Sequence, residues 1–251
     1  MRCDRRTFLT LAAGAGLSGT GHAQDQPRGT GLAVRSVLEL FTSQGCSSCP
    51  PADMLFHSLS HEAGVLALSL PVTIWDHLGW KDTLAKTAFS ERQKAYAHTR
   101  GDRQIYTPQA VINGIAHAVG SDLKAIDAAR KDTVRHSGIL SVLPELTRDG
   151  SRWRATLPPA PATPAAEIML VTFERDHLVQ IGKGENSGRT IRYGNIVRSL
   201  TRLGSWSGAQ ATFDIPPQTL VDARESFAVL VQAGGERQPG TILGAVEAPR
   251  V

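Results

Sequence analysis

Val34-Arg-Ser-Val-Leu-Glu-Leu-Phe41, running into Thr42-Ser-Gln-Gly-Cys46-Ser-Ser-Cys49-Pro-Pro-Ala-Asp53, is the stretch that decides how this chain folds. The first eight residues are apolar and β-branched in the manner of a buried strand. Pro50 and Pro51, followed by Met54, Leu55 and Leu59 at helical spacing, mark the helix that comes next. Two cysteines separated by two residues therefore stand at a strand-to-helix turn. Closing so short a loop removes little chain entropy from the unfolded state, so the pair reads as a working dithiol rather than a staple. Backbone N–H groups and the positive dipole end at the helix start are expected to favour thiolate over thiol. Cys46, the outer member, is the expected nucleophile, and Cys49, one turn on, the resolving cysteine. The hydroxyls of Ser47 and Ser48 are placed to stabilise the thiolate further.

The third cysteine, Cys3, belongs to a different kind of segment. Arg5-Arg6-Thr7-Phe8-Leu9 precedes an Ala/Gly-rich apolar stretch, Leu11 to Leu17, and Gly21-His22-Ala23 has the small residues of a cleavage site. These parts in this order predict a twin-arginine export signal over residues 1–23, removed on export to leave a periplasmic or secreted protein. The stretch is too short and too rich in Gly to remain as a membrane anchor. Without it Lys+Arg falls from 27 to 24 and Asp+Glu from 23 to 22, and a net charge near +2 does not ask for nucleic acid.

Further along, Val65 to Ile74 is a second buried-strand candidate, interrupted by Pro71, and residues 76–100 are helical in composition, with Ser90 or a neighbour as cap. Ile105 to Ile112 is a third strand, closed by Asn113-Gly114, a hairpin-turn dipeptide. Ser121-Asp122 then caps an amphipathic helix that runs to about His136. From Gly138 onward short alternating segments, among them Arg152 to Leu157, Glu167 to Phe173 and Phe227 to Val231, are separated by Pro- and Gly-rich turns. This texture is that of a β-sandwich. The expected organisation is an α/β domain over 33–137 and an all-β, sandwich-like domain over 138–251.

Other residues carry possible chemistry. Glu39 is a lone carboxylate in the apolar strand, seven residues before Cys46. Burial would raise its pKa and let it relay a proton to or from Cys49; alternatively it faces solvent or makes a structural hydrogen bond. Trp75-Asp76-His77-Leu78-Gly79-Trp80-Lys81-Asp82 is a compact aromatic and charged loop that borders a site or packs. His57 and His61 share a helix face, and Lys183, Arg189, Arg192, Arg198 and Arg202 form a loose basic series; each reads as solvated surface. With no second Cys pair and no His at Cys2His2 spacing, a zinc site is not expected, and no metal ligand or cofactor is assigned.

Glu39-Leu-Phe-Thr-Ser-Gln-Gly-Cys-Ser-Ser-Cys-Pro-Pro-Ala-Asp53, the Trp75 to Asp82 loop, Tyr106-Thr107-Pro108-Gln109, Gly184-Glu185-Asn186-Ser187-Gly188-Arg189 and Asn195-Ile196-Val197-Arg198 together resemble the exported thioredoxin-like proteins of the domain of unknown function 1223 family. The resemblance spans nearly all of the chain beyond the export signal and implies a thioredoxin-like domain followed by a β-rich one. It also implies that Pro108 is a cis-proline opposite the dithiol, preceded by Thr107, where exposed backbone meets a substrate segment, with Tyr106 and Trp75 alongside. Pro71 and Thr73 stand where relatives usually carry His and Asp.

The expected function is exchange of disulfides with protein or small-molecule thiols through a mixed disulfide at Cys46. Two other readings stay open at this stage. One is a copper(I)-binding metallochaperone, since thiolates suit a soft cation. The other is a non-catalytic binding module in which the cysteines form a structural disulfide.

Overall fold

The structure is a computed structural model that describes residues 31–161, 163–219 and 225–249; the expected export signal over residues 1–23 lies outside the described residues. In chain order the elements of the first half are β1 (Leu32–Ala33), β2 (Ser36–Thr42), α1 (Pro50–Leu59), β3 (Val65–Pro71), α2 (Thr87–Arg100), β4 (Gln109–Ile112), β5 (Ala116–Val119) and α3 (Leu123–Thr133). The second half supplies β6 (Glu145–Asp149), β7 (Arg152–Leu157), β8 (Ala166–Gln180), β9 (Thr190–Trp206), β10 (Ala211–Ile215), β11 (Glu225–Gly235) and β12 (Gln238–Glu247).

Local chemistry accounts for the ends of these elements. Pro71 closes β3, and the strand expected from Ile105 begins only at Gln109, because a proline has no amide hydrogen to give to a ladder. Asn113 and Gly114 turn β4 into β5 with φ of 49° and 79°, as that dipeptide predicts. The Asn113 side chain also accepts from Val37 N at 2.8 Å and donates to Thr133 Oγ1 at 2.8 Å, tying the turn to β2 and α3. Asp122 caps α3 by accepting from Ala125 N at 3.0 Å. Ser90 is not the cap of α2: the helix starts three residues earlier, and the Ser90 hydroxyl accepts from Thr73 N at 3.0 Å instead.

The boundary expected at 137/138 does not divide the sheet. Nine strands form one sheet in the order β1-β12-β11-β8-β9-β3-β2-β4-β5, and β10-β7-β6 form a second of three strands. The join between the halves is β3 beside β9, parallel at Ser69 and Ile196. Side chains reinforce it: Ser69 Oγ donates to Gly194 O at 3.0 Å and Asn195 Nδ2 to Ala67 O at 2.9 Å. Sandwich packing is present where the three-stranded sheet covers β8, β11 and β12 over Leu146, Leu157, Ile168, Leu170, Val229 and Val231. The larger sheet, however, is common property of both halves.

That sheet curls around α2. Glu39 on β2 and Gln232 on β11 are four strand positions apart, about 19 Å in a flat sheet at roughly 4.8 Å per strand. Both nevertheless reach the hydroxyl of Tyr96 on α2, at 2.5 and 2.8 Å. The curl carries β12 back to the β4–β5 turn, where Ile242 N donates to Asn113 O at 3.1 Å. Side-chain alternation then sorts β2. Val37 and Phe41 join Phe89 and Tyr96 on the α2 side, while Leu38 and Leu40 pack with Ala52, Phe56 and Ile126 on the side of α1 and α3. Full burial of a side chain such as Phe56 stabilises the fold by about 1.5–3 kcal/mol, which fixes α1 and the cysteines at its start against the sheet.

Candidate redox site

Cys46 and Cys49 are joined by a disulfide with Cα atoms 5.4 Å apart. Cys49 is sealed from solvent, whereas Cys46 retains 5 % exposure beside the exposed Ser47 and Ser48. Ser48 Oγ lies 3.4 Å from Cys46 Sγ, so one of the two expected hydroxyls is in place. The helix start differs from expectation. Its first two residues are prolines without N–H groups, and the next two amides, Ala52 and Asp53, donate to Cys49 O at 2.9 and 3.1 Å. The helix therefore offers Cys46 its dipole but no free N–H. Among the described residues the amides of Ser47 and Ser48, the next two in the chain after Cys46, make no hydrogen bond.

The turn that presents Cys46 is held through Gln44. Its amide donates to Asp82 Oδ2 at 2.8 Å, its carbonyl accepts from Asn186 Nδ2 at 2.9 Å, and its side-chain oxygen accepts from Trp80 Nε1 at 2.8 Å. Asp82 in turn accepts from the amides of Leu84 and Ala85, and its own amide donates to Asp76 Oδ1 at 3.1 Å. The Trp75 to Asp82 loop thus braces the site through Asp76, Trp80 and Asp82.

Trp75 links the cysteine loop to the Thr107-Pro108 segment. A side-chain carbon on Gly45 would come within 2.9 Å of Trp75 Cβ, so the base of Trp75 is packed directly against the residue before Cys46. At its other end Trp75 Nε1 donates to Thr107 Oγ1 at 2.7 Å. The Thr107–Pro108 peptide is cis. Pro108 and Ala52 flank Gly120, where an added Cβ would lie 3.1 and 3.2 Å from theirs, which places the proline beside the first turn of α1. Tyr106 turns elsewhere. Its hydroxyl bonds His117 Nδ1 at 2.8 Å and its carbonyl accepts from Gln93 on α2, so it braces the segment instead of lining the dithiol.

Glu39 stands apart from the cysteines. It shares the α2-facing side of β2 with Val37 and Phe41, and Arg92 binds it with Nε to Oε1 at 2.7 Å and Nη2 to Oε2 at 3.1 Å. Tyr96 donates to Oε2 as well, which leaves the carboxylate committed to a buried core cluster. The acid on the cysteine side is Asp53, one turn beyond Cys49 on α1. It is fully buried, its Oδ1 accepts from Thr42 Oγ1 at 2.6 Å, and its Oδ2 has no partner among the described residues. Burial pushes its pKa up to about 8, with the Asp82 charge adding to the rise and the Thr42 hydrogen bond opposing it. Asp82 is raised too, chiefly by burial. Tyr193 completes the group: its buried hydroxyl has no partner among the described residues, and burial followed by the Asp53 and Asp82 charges raises its pKa.

Gln44, Asp53, Asp82 and Asn186 all lie within the motifs quoted above, yet nothing in residue spacing gave any of them a role. Their roles come from contacts across 11 to 142 residues of chain. The remaining candidates are structural surface. Arg192, Arg198 and Arg202 pair across β8 and β9 with Asp176, Glu174 and Glu167. The His57 and His61 rings lie 4.9 Å apart, with His57 Nε2 3.7 Å from Asp176. No group of three or more His, Cys, Asp or Glu among the described residues is arranged to hold a metal ion. No helix among them is long and apolar enough to cross a membrane.

A C-x-x-C disulfide site braced by both halves of one curled sheet is what this geometry defines. The chain belongs to the family described as "Protein of unknown function (DUF1223)", whose match covers residues 37–232. Among solved structures it is similar to protein AGR_C_4864 from Agrobacterium tumefaciens, with 31 % sequence identity, a TM-score of 0.77, and coverage of 87 % of this chain and 96 % of that one. It is also similar in fold to HBP35 of Porphyromonas gingivalis, at 12 % identity and a TM-score of 0.54, over 86 % of this chain and 76 % of that one. No curated protein matches.

Proposed function

We propose that this protein is an exported thiol-disulfide oxidoreductase with a thioredoxin-like first half, working through Cys46 and Cys49. The observation that carries the reading is the asymmetry of the pair: an outer cysteine whose sulfur lies beside the Ser48 hydroxyl, and a sealed cysteine one helical turn from a buried acid. The twin-arginine segment over residues 1–23 supports an oxidising compartment in which such a pair is used. The placement of the Thr107-Pro108 segment beside the first turn of α1 supports the thioredoxin-like reading.

The exchange balances as follows. A substrate thiolate attacks Cys46 Sγ and forms a mixed disulfide, while the Cys46–Cys49 bond breaks and its electron pair leaves on Cys49. Being buried, the Cys49 thiolate takes a proton from the Asp53 carboxyl group, which is protonated at neutral pH because its pKa is about 8. A second substrate thiolate attacks the substrate sulfur of the mixed disulfide, releasing Cys46 as thiolate. The substrate dithiol is then oxidised by two electrons and the protein reduced by two. Run backwards, the same steps reduce a substrate disulfide, with Asp53 as proton acceptor.

Equilibration of the protein with glutathione buffers, followed by alkylation and mass spectrometry, tests this. A potential between about −120 and −270 mV is expected, and one below about −300 mV would identify a structural disulfide. Cys49→Ser is expected to accumulate a mixed disulfide at Cys46, and Cys46→Ser to form none.

A further inference from the structure

The carbonyls of Gln44 and Cys46, on either side of Gly45, share one side-chain donor, and the Cys46 carbonyl also accepts from Cys49 N at 3.2 Å. Asn186 Nδ2 is 2.9 Å from each. Asn186 sits at the tip of the β8–β9 hairpin, is only 1 % exposed, and comes from the half of the chain that carries no cysteine. Its orientation is unambiguous, since the flipped amide would set an oxygen against two carbonyl oxygens. Asn186 Oδ1 has no partner among the described residues, so the two carbonyls alone hold the carboxamide.

The hairpin tip is itself built to carry this group. Gly188 N donates to Ile181 O at 2.8 Å, and Arg189 N to Asn186 O at 3.1 Å. Gly182 lies against the Trp80 ring, whose Nε1 holds the Gln44 side chain, and Gly184 against Trp80 Cβ; a side-chain carbon on either would come within 3.1 Å of these atoms. Gly184 also has φ of +78°, a conformation that suits glycine.

A carbonyl oxygen carries partial negative charge, and two of them beside Cys46 oppose a thiolate there. The two Asn186 hydrogens, one on each oxygen, offset that field inside a buried site where screening by water is weak. We propose that Asn186 is a positioning residue for the Cys46 nucleophile: it fixes the turn that presents the sulfur and lowers the pH at which the reduced cysteine ionises. This deepens the oxidoreductase reading and rests on it, but its readout needs no natural substrate.

The test is the pH dependence of iodoacetamide alkylation at Cys46, followed by mass spectrometry, in the full chain reduced with a phosphine. Asn186→Ala is expected to move the Cys46 midpoint up by about one pH unit, a tenfold loss of thiolate below the midpoint. Asn186→Asp, which cannot donate and adds charge, is expected to move it further. Thermal melting that falls while the midpoint stays fixed would show a merely structural role and overturn the proposal. Should the variants fail to fold, the wild-type protein decides: in an NMR titration the Asn186 side-chain amide resonances are expected to shift with the Cys46 midpoint, and resonances that ignore it overturn the proposal. Wild-type protein that does not exchange with glutathione sinks the oxidoreductase reading; unmoved midpoints in protein that exchanges normally sink only the role of Asn186.

Discussion

Asp53 follows Cys49 by one turn of α1, with its amide donating to the Cys49 carbonyl at 3.1 Å and its carboxyl group buried behind it. A carboxyl group whose pKa is raised from 3.8 to about 8 binds its proton more tightly in the folded than in the unfolded chain. Its contribution to stability is therefore fully present below about pH 4 and is lost as pH rises through about 8. Asp82, also raised by burial, acts in the same direction. Asp53→Asn, which keeps an oxygen for the Thr42 hydroxyl, is expected to flatten the fall of Tm across this window and to melt above wild type near its upper end. Melting curves at several pH values check this; equal slopes for the two proteins would refute it.

On the proposed oxidoreductase reading, Glu39 and Asp53 make opposite predictions for disulfide exchange. Glu39→Gln strips the charge from a buried partner of Arg92, and breaking one side of a buried pair costs about 3–5 kcal/mol. Urea denaturation is expected to show that loss. The folded variant is expected to exchange disulfides with the wild-type pH profile, because Glu39 faces α2. Asp53→Asn is expected to slow the step in which Cys49 gains or loses a proton, and to change that profile. An altered profile in Glu39→Gln would return the proton relay to β2.

The seam that closes the curled sheet rests on Gly114. Its φ is +79°, and a side-chain carbon there would lie 2.2 Å from the backbone oxygen of Gly240. Gly114→Ala combines left-handed backbone cost with a clash that no side-chain rotation relieves, so a loss of about 2 kcal/mol or more is expected in urea denaturation. Gly101→Ala is the comparison, since its φ of +78° is similar and nothing lies within 4 Å of the added carbon. Similar losses in the two variants would show that the seam carries no load.

How much of this was legible depends on the range of the signal. The end of β2, the Asn113-Gly114 turn and the Asp122 cap follow from residues within a few positions of one another, and local backbone chemistry decides them. The face taken by Glu39 does not, because every residue of β2 is buried and the apolar run conceals which side meets which helix. The pairing of β3 with β9 rests on Ser69 meeting Ile196, which no local pattern announces. Reading the second half as a separate sandwich followed from its short turns, while β8 and β9, at 15 and 17 residues, reach across into the first half. Asn186 has no signature of its own: an asparagine between glycines reads as a turn, and its work is done on carbonyls 140 and 142 residues away.

The proposed exchange requires that the protein survive reduction of its disulfide, and it is expected to. The Cys46–Cys49 bridge closes a loop with a sequence separation of only 3, for which chain entropy gives at most about 2 kcal/mol of stabilisation. The loop has other supports: Cys46 N and Cys49 N donate within the turn, and Gln44 is held by Asp82, Trp80 and Asn186. None of these bonds uses a sulfur atom. In a chain of this size about 2 kcal/mol corresponds to a drop in Tm of roughly 4–8 °C. Calorimetry with and without a phosphine reductant is expected to show a drop no larger than that, with an unchanged far-ultraviolet circular dichroism spectrum before melting. Unfolding on reduction would show that the bridge holds the fold together, and would favour the structural-disulfide reading over exchange.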